Sequence, residues 1–106
     1  MLVNKRLLKT KNMESAFAQN TEKKRFELHV EDQIAFIDYM ITNENVVYLT
    51  HTEVPESLSG KGVGSAVVEK TLQFVKDNNY KLVPQCSFIA KYVGKHPEWK
   101  SIVVTE

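Results

Sequence analysis

The segment Ser59-Gly60-Lys61-Gly62-Val63-Gly64-Ser65 holds three of the chain's four glycines within five residues. Glycine tolerates left-handed backbone and lets a ligand approach the main chain closely. An amphipathic run follows at once, with Val63, Ala66, Val67, Thr71, Phe74 and Val75 at helical spacing. A glycine turn that opens a helix leaves the first amides unpaired at the positive end of the helix dipole, and that arrangement suits phosphate. The common phosphate signatures do not fit. A Walker loop needs Ser or Thr after its lysine, whereas Gly62 follows Lys61, and the dinucleotide fingerprint needs G-x-G-x-x-G rather than G-x-G-x-G. The same glycines also suit a turn that only reverses the chain.

Three further side chains could do chemistry. Cys86, the only cysteine, falls between a short apolar run, Leu82 to Cys86, and a helical pattern over Phe88 to Lys95. A helix start lowers a thiol pKa and favours a nucleophile, while a lone cysteine is equally at home as a small buried hydrophobe. His51 and Glu53 lie two apart in an extended run and share a face if the strand is regular. An imidazole near neutral pH can take a proton from an amine or a thiol, with Glu53 orienting it or acting as the base. A backbone-bonded histidine and a solvated glutamate are the plain alternatives. His29 and His96 with one cysteine do not approach metal-site spacing, so no metal is expected.

The elements that must position these residues are legible in the pattern. Arg25 to Val30 alternates Phe26, Leu28 and Val30 with polar residues, as a half-buried strand does. Gln33 to Ile41 is apolar on both faces and reads as a central strand covered on both sides, with Asp38 at a rim or hydrogen-bonded. Val46 to Val54 is a third strand stopped by Pro55, completing an antiparallel meander. The helix from the glycine turn runs to about Asp77, and Asn78-Asn79 ends it. After Cys86 and the second helix, His96-Pro97-Glu98 breaks the pattern, and Trp99 to Val104 reads as an apolar tail or last strand, a segment that could pair across a dimer edge.

With 106 residues, 42% of them hydrophobic, the chain supports one small core. No apolar run reaches the roughly 18 residues of a membrane helix, and one cysteine builds no disulfide framework, so a reducing cytoplasm is the expected compartment. Charge is uneven: residues 1–24 carry six Lys/Arg and two Glu, a net +4, and the remainder a net −3. The expected organisation is a basic extension over 1–24, partly disordered or a short helix through Val3, Leu7 and Leu8, and a domain over 25–106. That extension competes between a nucleic-acid arm, a transit peptide and a leader upstream of a start at Met13. The net-acidic remainder and its single Trp99 argue against nucleic acid.

The meander followed by Gly60-Lys61-Gly62-Val63-Gly64 resembles motif A of the GCN5-related N-acetyltransferases. More closely, His51-Thr52-Glu53-Val54-Pro55, the glycine loop, Pro84-Gln85-Cys86-Ser87-Phe88 and His96-Pro97-Glu98-Trp99 resemble a subfamily of minimal acetyltransferase-like proteins. The resemblance implies an α/β fold, a mixed and mainly antiparallel sheet flanked by two main helices, with a splay between strands that takes the acyl-pantetheine arm. It implies an enzyme that moves an acetyl group from acetyl-coenzyme A to an amine on a protein, a peptide or a small polyamine. The cofactor residues it implies are Val54, Ser59, Gly60, Lys61, Gly62, Val63, Gly64, Ser65, Cys86 and Tyr92. Ser59 stands where the pattern has Arg or Gln. The catalytic set it implies is Cys86, His51 and Glu53, with His51 and Cys86 side by side across the splay, Cys86 as nucleophile or acyl-pocket wall, and Tyr92 as thiolate proton donor or part of its helix's apolar stripe. A domain this small is expected to be a monomer or weak dimer with an open acceptor surface. The alternatives are a non-catalytic coenzyme A or acetyl-coenzyme A binder and an interaction protein that uses the basic arm over 1–24.

Overall fold

The computed structural model describes residues 15–104. Five strands, β1 (Ser15–Asn20), β2 (Arg25–Val30), β3 (Gln33–Ile41), β4 (Val46–Glu53) and β5 (Lys81–Pro84), form one sheet in sequential order. The first four pair antiparallel, and β4 pairs parallel with β5. Helix α1 (Val63–Asp77) crosses from β4 to β5, and α2 (Ser87–Lys95) follows β5. Parallel neighbours need such a crossover, and this one begins at the glycine loop.

Local chemistry sets the joints. Glu31 and Asp32, both at positive φ, make the tight two-residue turn between β2 and β3. Helix α1 ends where Asn79 turns left-handed and the amides of Asn79 and Tyr80 donate to the carbonyls of Lys76 and Val75. That pair of bonds caps the last helical turn.

The core lies on one side of the sheet. Phe26, Leu28, Ala35, Ile37, Val47 and Leu49 are buried beneath Val67, Val68, Leu72 and Val75 of α1. Each large apolar side chain buried there contributes about 1.5–3 kcal/mol. Phe17, Tyr39 and Phe74 gather around Phe26, with ring centroids 4.5–6.0 Å from it.

Three elements differ from the sequence reading. Ser15–Asn20, assigned to the extension as disordered or helical, is a strand whose Phe17 stacks on Phe26; a single large apolar residue in six gives little periodicity. The readings placed on residues 1–14, including Met13 and the short helix through Val3, Leu7 and Leu8, lie outside the described residues. Strand β3 is central in order but, among the described residues, covered on one face only: Ala35 and Ile37 are fully buried, while Ile34 and Phe36 are half-buried and Met40 is 60% exposed. Trp99 and Ile102 sit in a 3-10 turn, Pro97–Ile102, as buried residues, and Val103 bridges Leu82 of the same chain, so this tail finishes the β5 edge.

Candidate functional site

The glycine loop forms as its residue types require. A short 3-10 turn, Glu56–Leu58, buries Leu58, and Gly60 and Gly62 then adopt φ of 77° and 79°. A side chain at either position would be strained. Gly62 is the N-cap of α1 and supplies no side-chain cap, and there is no acidic residue in the first turn. The first α1 amide bonded back to the loop is that of Ala66, which donates to the carbonyl of Gly62. Among the described residues the amides of Val63, Gly64 and Ser65 have no backbone acceptor. They open into a groove of about 280 Å³ lined by Val54, Ser59, Gly60, Gly62, Val63, Gly64, Ser65 and Phe88. Unpaired amides at the positive end of a 15-residue helix, beside Lys61 and away from any first-turn carboxylate, are a donor set for a phosphate-bearing ligand. Ser59 is exposed beside this groove.

Gly64 matters through contact rather than conformation. A Cβ there would stand 3.0 Å from the Phe88 ring and 3.6 Å from Val54. Phe88 is 43% exposed and forms one wall of the groove. In the sequence Phe88 was only the first residue of a helical pattern, and its role as a groove wall depends on a contact with the glycine loop that the sequence does not show.

The second half of the site is the free end of β4. Parallel pairing joins Val46–Leu49 to Lys81–Pro84 and stops when both Gln85 and Cys86 amides donate to the Leu49 carbonyl, each at 3.0 Å. Among the described residues, β4 from Thr50 onward pairs as a strand only with β3, so its outer edge parts from β5 and borders a gap. The gap starts with an irregularity. Leu49 opposes Tyr39 and His51 opposes Asp38, which leaves Thr50 as an extra residue in β4, a β-bulge. An extra residue reverses the side-chain phase of everything after it. Thr52, opposite the buried Ile37, therefore points to the helix side, and His51 and Glu53 point to the other side.

The structure thus separates residues that regular alternation would place together. Cys86 does not meet His51; its partner is Thr52, whose Oγ1 lies 3.3 Å from Cys86 Sγ. His51 meets Glu53, Nε2 to Oε1 at 2.9 Å, with both side chains 56% exposed. Cys86 is the N-cap residue of α2. Burial pushes its thiol pKa up, but the hydrogen bond with the Thr52 hydroxyl and the nearby backbone amides of Ile89, Phe88 and Thr52, which favour the thiolate, outweigh burial and hold it below the ordinary value. Tyr92 lies one turn beyond Phe88 on α2 and stacks on His96 at 4.0 Å, with His96 Nδ1 2.9 Å from the Tyr92 carbonyl oxygen. Burial, then the charges of Glu69 and Glu98, raise its phenol pKa, so it is protonated at neutral pH. Thr52 and the Thr50 bulge were not singled out in the sequence, where Thr50-His51-Thr52-Glu53 is uniformly polar and carries no phase marker.

Fold and site define a class: an α/β domain in which a parallel strand pair parts beside a helix terminus whose first amides are free. The chain belongs to the GCN5-related N-acetyltransferase family, whose model matches residues 25–102. It is similar to Protein NATD1 of Gallus gallus and of Homo sapiens, each 33% identical over 63 residues that make up 59% of this chain. Those 63 residues span 57% and 56% of the two relatives, little more than half their length. A GCN5-like protein of Staphylococcus aureus, solved in solution by NMR and classed with N-acetyltransferases, shares the fold, with a TM-score of 0.66 and 22% identity across 86% of this chain and 89% of that one.

Proposed function

We propose that the chain is an N-acetyltransferase that uses acetyl-coenzyme A, and that the amides of Val63, Gly64 and Ser65, with Lys61, hold the coenzyme's phosphates. The observation that carries this reading is the uncapped α1 terminus opening into a groove beside the unpaired end of β4. The coenzyme would supply an activated acyl thioester, and the chain's residues would do the rest. Phe88 and Val54 wall the groove. Backbone donors along the outer edge of β4, where it parts from β5, would stabilise charge building on a carbonyl oxygen. His51, anchored by Glu53, takes the proton from the incoming amine. Transfer would exchange the thioester C–S bond for the new N–C bond, and Tyr92, or solvent, would donate the proton that the departing thiolate needs.

A second route, through an acetylated Cys86, is favoured by one observation, its lowered thiol pKa. Direct transfer is preferred because Cys86 has Thr52 and no imidazole beside it, while the imidazole stands on the exposed side.

Thermal unfolding with acetyl-coenzyme A tests the reading. At a hundredfold excess over the dissociation constant the native chain should gain about 2.7 kcal/mol. Gly62→Glu, which puts a carboxylate among the free amides, should gain none. No shift in the native chain at millimolar coenzyme would refute the proposal.

A further inference from the structure

Between the end of β4 at Glu53 and the start of α1 at Val63, the backbone hydrogen bonds among the described residues are local. The amides of Leu58, Ser59 and Lys61 donate to the carbonyls of Pro55, Glu56 and Leu58, and none of the three reaches the sheet. Two neighbouring side chains tie the 3-10 turn to the fold instead. Leu58 is buried in the core, and the Ser57 hydroxyl beside it accepts a hydrogen bond from Gln33 Nε2. Gln33 opens β3 and pairs with Val30 directly after the Glu31-Asp32 turn, so the hairpin fixes its backbone. A buried side chain alone leaves the turn free to swivel about it; a hydrogen bond one residue away fixes its direction. That direction passes through Ser59, Gly60, Lys61 and Gly62 to the amides of Val63, Gly64 and Ser65. Gly60 and Gly62, both left-handed, need such a fixed start, because glycine loses more freedom on ordering than any other residue.

From these contacts, and resting on the proposed acetyl-coenzyme A reading, we propose that Gln33 is a positioning residue for the phosphate cradle and acts through Ser57. Neither residue lines the groove, so the bond works on the amides before a ligand arrives. A donor set ordered in advance loses less binding free energy to ordering. Without the bond every amide of the cradle is still present, but the loop that aims them is looser, and phosphate binding weakens while the fold stands. The β2–β3 hairpin thereby belongs to the coenzyme site, although Gln33 and Ser57 are 24 residues apart in the chain.

Calorimetric titration of the full chain with acetyl-coenzyme A, and the rate of tryptic cleavage after Lys61 in the coenzyme-free chain, test the tether together. Gln33→Ala and Ser57→Ala are each expected to weaken coenzyme binding about threefold to tenfold, the worth of one neutral hydrogen bond. Each is expected to speed cleavage after Lys61 by a similar factor, since proteolysis follows the open population of the loop. The double variant is expected to match either single one, because both remove the same bond, and Ser57→Thr, which keeps the hydroxyl, is expected to behave as the native chain. Gln19→Ala is the control. It removes a bond that joins β1 to β3, Gln19 Nε2 to Tyr39 Oη at 2.9 Å, and is expected to leave affinity and cleavage unchanged. Native affinity in both single variants, additive losses in the double variant, or an equal loss in Gln19→Ala overturns the proposal. Failure of the native chain to bind the coenzyme is a different result: it refutes the acetyl-coenzyme A reading, and cleavage after Lys61 then decides alone whether Gln33 holds the loop.

Discussion

The two sides of the free end of β4 are chemically opposite. On the helix side, Thr52 and Cys86 form a half-buried pair gathered under the start of α2, with the thiol held toward its charged form. On the open side, His51 and Glu53 form an exposed pair with no cover beyond the neighbouring strand among the described residues. One extra residue, Thr50, makes the difference by turning the phase of the strand. A single strand thereby offers a thiol side and an imidazole side to whatever enters the gap, and a Cys–His pair of the kind that activates a nucleophile is not formed.

The largest effect expected from breaking this arrangement is on the open side. His51→Ala should lower kcat/KM for acetyl transfer by about 10²–10⁴-fold, the usual contribution of a positioned base, with acetyl-coenzyme A affinity unchanged. Steady-state kinetics and the coenzyme thermal shift separate the two. Cys86→Ala should cost less than about tenfold, and mass spectrometry of the native chain with acetyl-coenzyme A should find no acetyl group on Cys86; a trapped acetyl-cysteine would move the chemistry to the helix side.

A third effect concerns stability and sets Glu27 against Glu53 on the same face. Burial alone would raise the Glu27 pKa, but the hydrogen bonds from Arg25, His29 and Asn20 outweigh it and lower it from 4.5 to about 2. A carboxyl with a depressed folded-state pKa contributes stability that is fully present above its unfolded value and is lost as pH falls through the folded one. Part of the chain's stability should therefore disappear between about pH 4.5 and pH 2. Denaturant unfolding at neutral pH should show Glu27→Gln costing about 2 kcal/mol, because a charge-assisted network is broken, and Glu53→Gln costing under about 0.5 kcal/mol. The smallest effect is expected at Gly64→Ala, where the exposed Phe88 ring can yield to a Cβ 3.0 Å away: coenzyme affinity should fall a few-fold with folding intact.

Much of this molecule was legible in the sequence, for physical reasons that also explain what was not. Alternating Phe26, Leu28 and Val30 marked β2, and glycines followed by apolar residues at helical spacing marked the α1 terminus, because burial and backbone freedom leave traces in residue type. Strand β1 left none, since Ser15-Ala16-Phe17-Ala18-Gln19-Asn20 is mostly small and polar at a sheet edge. Apolar residues on both faces of β3 suggested two covers; a sheet face that carries Phe36 and Met40 partly exposed has the same composition as a buried one. The bulge was invisible for a different reason. Past Leu49 no apolar residue marks which way β4 faces until Val54, so the side on which His51 stands depends on pairing with β3, a tertiary fact.

The rate of Cys86 alkylation by iodoacetamide as a function of pH, in the native chain, in Thr52→Val and in His51→Ala, tests the separation of the two sides most directly. The account predicts that Thr52→Val moves the midpoint upward, toward that of an ordinary cysteine, that Thr52→Ser restores it, and that His51→Ala leaves it where it is. A midpoint that shifts with His51→Ala and ignores Thr52→Val would mean that imidazole and thiol share one side, and the account would be contradicted.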